Sequence, residues 1–171
     1  MTFIHEIYPR LWIPPRLIHL PVSTGWTKSS TQLRCADASL IPDGVAVLMA
    51  EILLPVSATT HRRTQPTAVS IYHLTDVPDG KLWIDLALHV IDPNTPAASA
   101  LDCTPDADSA ALNGAGWDGT FYRSVYSIDT PPTLTQDQRI YAKVTVSAED
   151  LGAGTVTTDI YGLSVDWRQR L

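Results

Sequence analysis

"KLWIDLALHVID", Lys81 to Asp92, alternates with a period of two. Leu82, Ile84, Leu86, Leu88 and Val90 fall on one side, and Lys81, Trp83, Asp85, Ala87 and His89 on the other. Successive side chains of a strand point to opposite faces, so this segment is a β-strand with one buried face.

The same period runs through neighbouring segments. "RIYAKVTVSA" places Ile140, Ala142, Val144 and Val146 inward, with Arg139, Lys143 and Thr145 outward. "TDIYGLSVDWRQR" sets Tyr161, Leu163, Val165 and Trp167 on one face. "GTFYRSVYSID" has aromatic and β-branched residues on both faces, as an enclosed strand does. "GVAVLMAEILLPV" is a near-continuous apolar run after Asp43-Gly44, and "TAVSIYHLTD" is a strand suited to pair with it. Turn residues punctuate these runs at Pro42-Asp43-Gly44, Pro78-Asp79-Gly80, Asp92-Pro93-Asn94 and Gly152-Ala153-Gly154. "VPDGK" reads as a hairpin connection. A further strand is expected within "QLRCADASLI", and short helical turns in "TPAASALDC" and over Ala107 to Leu112. Short strands at this spacing predict an all-β fold: an antiparallel β-sandwich of jelly-roll or related Greek-key type.

The 171 residues suit one domain that needs no disulfide or metal to build a core. Cys35 and Cys103 match neither a zinc ribbon nor a CxxC pair and read as reduced thiols, buried or partly buried. The net charge of −6 argues against a nucleic-acid partner, which requires a basic face. No apolar run is long enough for a transmembrane helix, so no membrane partner is expected.

In front of the strands stands "FIHEIYPRLWIPPRLIHLP", Phe3 to Pro21. It is apolar, yet Pro9, Pro14, Pro15 and Pro21 exclude a helix or an inner strand. It lacks the early positive charge and unbroken apolar run of a secretory leader. Residues 1–34 carry Arg10, Arg16, Lys28 and Arg34 against Glu6 alone, so a basic leader precedes an acidic body. Two units are expected: an extended N-terminal arm, 1–34, and a sandwich, 35–171. Tyr8, Arg10, Trp12, Ile13, Arg16 and Leu17 are the partner-binding candidates, since interface energy concentrates on aromatic and arginine anchors. The arm either docks on a partner or folds back along its own sandwich, and exchanged arms would satisfy both.

No segment has a catalytic pattern. "DCTPDADSAALNGAGWDG" clusters acids, but counting Asp106 as the first position of a calcium loop puts Ala110, Ala111 and Trp117 where an oxygen ligand, glycine and glutamate belong. "GAGWDG" matches a dinucleotide fingerprint by letter, yet a strand follows it where a helix is required. His5, His19, His61, His73 and His89 form no ligand pair and read as exposed-face or edge residues, with His73 and His89 on neighbouring strands. There is no GxSxG, and Glu51 and Asp85 read as solvent-face charges. "HRRT", His61 to Thr64, reads as a loop tip. No cofactor or metal is expected. Trp83, outward on its strand, and Trp117, in a glycine-rich loop, are possible ligand or interface aromatics, Trp83 alternatively being covered by the leader or a neighbouring subunit.

"ADASLIPDGVAVLMAEILLPV" and the closing "TTDIYGLSVDWRQRL" together resemble small β-sandwich virion surface proteins of tailed bacteriophages: capsid decoration or cement proteins, head fibres and tail-surface modules. The resemblance spans Ala36 to Leu171 and is one of architecture, without a motif whose residues carry over. It implies a non-enzymatic structural protein, assembled in the host cytoplasm onto the virion surface. The implied partner is a major capsid protein or another virion protein, and the implied state a homo-oligomer, a trimer above others. The alternative is a carbohydrate- or receptor-binding sandwich module.

Overall fold

The computed structural model describes residues 6–20, 26–36, 45–54, 64–92, 94–112, 114–135, 137–150 and 157–170. Its elements are β1 (Glu6–Ile7), β2 (Arg10–Ile13), β3 (Trp26–Lys28), β4 (Leu33–Ala36), β5 (Val45–Ile52), β6 (Thr64–Asp92), β7 (Thr95–Leu101), β8 (Cys103–Pro105), α1 (Ala107–Leu112), β9 (Ala115–Ile128), β10 (Arg139–Asp150) and β11 (Thr157–Arg170). The fold is an antiparallel all-β sandwich, and β6 runs through both of its layers.

The first half of β6, Thr64 to Asp76, lies between β9 and β11. The far edge of β11 is taken in succession by β4, β2 and β1, with β3 beyond β4. The second half, Gly80 to Asp92, lies between β10 and β7, with β5 outside β10. Inward side chains of both layers meet in one core that includes Val69, Ile71, Ile84, Leu88, Ile140, Val144, Leu163 and Val165.

The expected hairpin at "VPDGK" is therefore absent. Both flanks of each half of β6 are occupied by other strands, so the two halves cannot pair with each other. Pro78 has no N–H for a ladder, and the chain instead makes an irregularity: Val77 opposes Trp117, while Leu82 already opposes Ala115. Burial confirms a change of phase across it. Val69, Ile71, His73 and Thr75 are buried before the irregularity, and Leu82, Ile84, Leu88 and Val90 after it. A shift of one residue reverses a strand's faces, and the irregularity absorbs that shift.

Other expectations are corrected in the same terms. "TAVSIYHLTD" does not pair with β5, whose strand partner is β10. "TPAASALDC" is mostly strand: Asn94 N–H donates to Asp92 Oδ1 at 2.9 Å, and the turn folds β7 back along β6. Ala107–Leu112 is the helical turn expected there. β9 is one-sided, with Ser124, Tyr126 and Ile128 buried and Phe121, Arg123 and Ser127 exposed. In β11 a register shift between Ile160 and Gly162 takes Tyr161 out of the buried row. His73 and His89 share one strand, and His73 is buried rather than exposed. Cys35 is buried and Cys103 half-buried, and both are thiols outside any disulfide, as expected.

The leader lies on its own sandwich wherever it is described. β2 pairs with β11, burying Ile13. A 3-10 turn at Pro15–Leu17 follows, with Pro15 buried. His19 then exchanges two backbone hydrogen bonds with Met49 on the edge of β5, at 2.7 and 2.9 Å. The segment thus spans from one layer's edge to the other's and buries Ile18 between. Lys28 Nζ donates to the carbonyls of Arg16 and Ile18 and holds the crossing in place. β4 straddles the expected 34/35 boundary and sends Leu33 and Cys35 into the common core.

Candidate functional site

The outer face of the β2–β11–β6–β9 layer gathers the notable side chains. Register aligns Trp12 with Ser164 and Ser70, and Gly162 with Tyr72 and Arg123. These positions share a face because each lies an even number of residues from its strand neighbours in the set. Tyr161, the extra residue of the β11 irregularity, joins them.

Four rings form a continuous cluster. Trp12 meets Tyr72 edge-on at 5.0 Å, Tyr72 lies 6.4 Å from Phe121, and Phe121 lies 5.5 Å from Tyr161. Trp12 is 47% exposed and Phe121 53%, unusual for rings of this size in a folded domain.

Guanidinium groups rim the rings. Arg10 Nε and Nη2 donate to both oxygens of Asp166, at 2.5 and 2.9 Å. Arg34 makes the same fork with Asp159, at 2.7 and 2.6 Å. Arg123 sits 5.8 Å over the Tyr72 ring and donates from Nε and Nη2 to Ser70 Oγ, at 3.1 and 3.0 Å. Its Nη2 lies 3.8 Å from Asp166 Oδ2. Tyr72 Oη and Ser164 Oγ share a hydrogen bond of 3.3 Å.

The structure divides the candidates read from sequence. Arg10 and Trp12 belong to this face. Tyr8 is exposed, its hydroxyl donating to Glu6 Oε2 at 2.9 Å. Ile13 is spent on its own core and offers no anchor to a partner. Arg16 and Leu17 are exposed on the 3-10 turn, apart from the rings. Trp83 is half-buried, and Gly114 lies close against it: a Cβ on Gly114 would stand 3.2 Å from its Nε1. Trp117 pairs through its backbone with Val77, and its side chain lies outside the described residues, as do His61 to Arg63. Glu51 and Asp85 are exposed, as expected.

Tyr72, Phe121, Tyr161, Arg123 and Asp166 escaped the sequence reading. One signal for them existed. An isolated glycine inside a strand pattern marks a bulge or a close approach, and Gly162 does both.

Beneath this face, His73 Nε2 lies 2.9 Å from Ser124 Oγ and Nδ1 lies 3.2 Å from Thr75 Oγ1. A serine–histidine contact invites a catalytic reading, but both residues are buried in the core and reach no surface. Burial pushes the His73 pKa down to about 4, so the ring is neutral near pH 7. Burial, with Asp129 and Asp102 adding, pushes the Cys103 thiol up to about 11, away from thiolate chemistry. Among the described residues no group of three or more His, Cys, Asp or Glu is placed to hold a metal ion. Compared with known families and curated proteins, the chain matches no family model and no curated sequence.

Proposed function

We propose that this chain is a non-enzymatic virion structural protein that docks on a phage capsid, stabilising or decorating it, and that it docks through the ring cluster around Trp12. The observation that carries the reading is the half-exposed aromatic cluster rimmed by Arg10, Arg34 and Arg123. Clustered aromatic and arginine side chains are the usual centre of a protein interface, and the sheet beneath holds them rigid. The working location is the virion surface after assembly in the host cytoplasm. The partner is the major capsid protein or a neighbour of it, and the proposed state is a homo-oligomer, a trimer first. Co-sedimentation with capsids assembled from the major capsid protein tests this. Wild type should pellet with them, and Phe121→Ala should reduce pelleting at least tenfold. Wild type remaining in the supernatant at saturating concentration would end the reading.

A second reading, a carbohydrate- or receptor-binding module, is favoured by one feature. Trp12 packs closely on Gly162 and is still 47% exposed, as a sugar-stacking ring must be. Glycan-array binding that disappears in Trp12→Ala would support it.

A further inference from the structure

Resting on the docking reading, we infer that the ring cluster recognises an acidic protein segment. A carboxylate of that segment seats on Arg123, and an adjoining apolar side chain lies across Phe121 and Trp12.

Charge favours an acidic partner. Asp166 and Asp159 are each engaged by a two-point fork, from Arg10 and Arg34. Arg123 is left with a neutral hydroxyl and a carboxylate at 3.8 Å. Ser70 takes its Nε and Nη2, which turns the Nη1–Nη2 edge away from the sheet, and the side chain is 39% exposed. That edge has the spacing that binds a carboxylate through two parallel hydrogen bonds. Three guanidinium groups against two carboxylates give this cluster a positive sign on a chain of net charge −6. Asp76 lies further along β6, beyond the row of Phe121.

Geometry favours a polypeptide over a neutral sugar. A sugar needs directional donors and acceptors for its hydroxyls. Here the nearby hydroxyl and carboxylate groups are engaged with one another or with arginine, Ser70 with Arg123, Ser164 with Tyr72 and Asp166 with Arg10, so the open Arg123 edge is a charged donor better matched to a carboxylate. The rings are inclined at 66°, 33° and 60° to their neighbours, so they form no flat shelf. They offer apolar contact of uneven relief, which a side chain fills better than a pyranose. Arg123 is held by Ser70 and the Tyr72 ring before anything binds, which lowers the ordering cost of association.

The test is an NMR titration of the whole chain with phenylacetate as the probe, against phenethylamine and glucose. Phenylacetate should bind saturably and shift the Arg123 Nε–H and Trp12 indole resonances. Arg123→Gln should weaken it about tenfold, the loss of one charge-assisted contact. Phe121→Ala should weaken it too. Both side chains are exposed, so both variants should fold. Phenethylamine binding as well as phenylacetate, or no effect of Arg123→Gln, would overturn the inference. Glucose binding without phenylacetate binding would also overturn it and give the face to carbohydrate. Capsid binding that depends on Phe121 but not on Arg123 would keep the docking reading and reject the carboxylate. Phenylacetate binding without capsid binding would keep the carboxylate site and reject the capsid. A wild-type oligomer that Arg123→Gln dissociates into monomers would overturn the assignment to a separate partner and put the face between copies.

Discussion

Trp12 occupies the space that a side chain at residue 162 would need. A Cβ on Gly162 would stand 2.6 Å from Trp12 Cζ2 and 2.8 Å from the Ile13 carbonyl oxygen, and the backbone there has φ +146°. The contact joins the leader to the last strand. It also orients the indole toward Tyr72, so one glycine underlies both the fold and the exposed ring cluster.

Gly162→Ala therefore meets backbone strain and a backbone clash together. The Ile13 oxygen cannot rotate away as a side chain would. We expect a loss of about 2 kcal/mol or more, read as a lower urea midpoint with an unchanged slope. Limited proteolysis should cut the variant faster within the leader. Trp12→Ala in the same background should recover only part of the loss, because the Ile13 carbonyl remains.

Removing residues 1–21 should damage the sandwich itself. An independent arm would leave the remaining strands intact, but Ile13 and Ile18 are 3% and 1% exposed. Full burial of such a side chain contributes about 1.5–3 kcal/mol, so losing both takes a large share of a typical domain's 5–15 kcal/mol. The truncated chain should unfold at much lower urea or bind a hydrophobic dye in buffer. Particle binding lost in this truncation would accordingly say nothing about docking. Phe121→Ala and Arg123→Gln, which leave the core alone, are the informative variants.

The strands were legible wherever one face met the core and the other met water, as in Leu82 to Val90 and Ile140 to Val146. Pairing was less so. Pro78-Asp79-Gly80 carries the same local chemistry at a hairpin and at a sheet irregularity, and only the occupied flanks of β6 decide between them. The ring cluster was hidden for a related reason. Trp12, Tyr72, Phe121 and Tyr161 come from four distant stretches of chain, and only the β2–β11–β6–β9 pairing brings them together. His73 misled because a lone histidine in a strand is read as polar. Thr75 lies two residues along the same strand, but Ser124, which bonds the other ring nitrogen, faces it only after β9 and β6 pair.

The two cysteines should be inert in the folded protein. Cys35 is fully buried and Cys103 is half-buried, with its pKa raised to about 11. At pH 8 almost none of the Cys103 thiol is ionised, and the thiolate is the reactive form. A colorimetric disulfide reagent should label native protein slowly and label both thiols at once in denaturant. Rapid native labelling of one thiol would contradict the burial of Cys35 or the raised pKa of Cys103.

His73 gives a pH dependence with a defined sign. Its folded pKa is lowered to about 4 from the ordinary 6.5 because the buried ring loses hydration when charged. Between those values the unfolded chain takes up a proton that the folded chain does not. Stability is therefore full above about pH 6.5 and falls as pH drops toward 4, by roughly 3 kcal/mol from this residue. His73→Gln keeps polar contacts to Ser124 and Thr75 but cannot titrate. Urea unfolding at pH 7 and pH 4.5 should show wild type losing more stability than His73→Gln over that interval, whatever the carboxylates add to both. Equal losses in the two proteins would mean that His73 is not buried in its neutral form on β6.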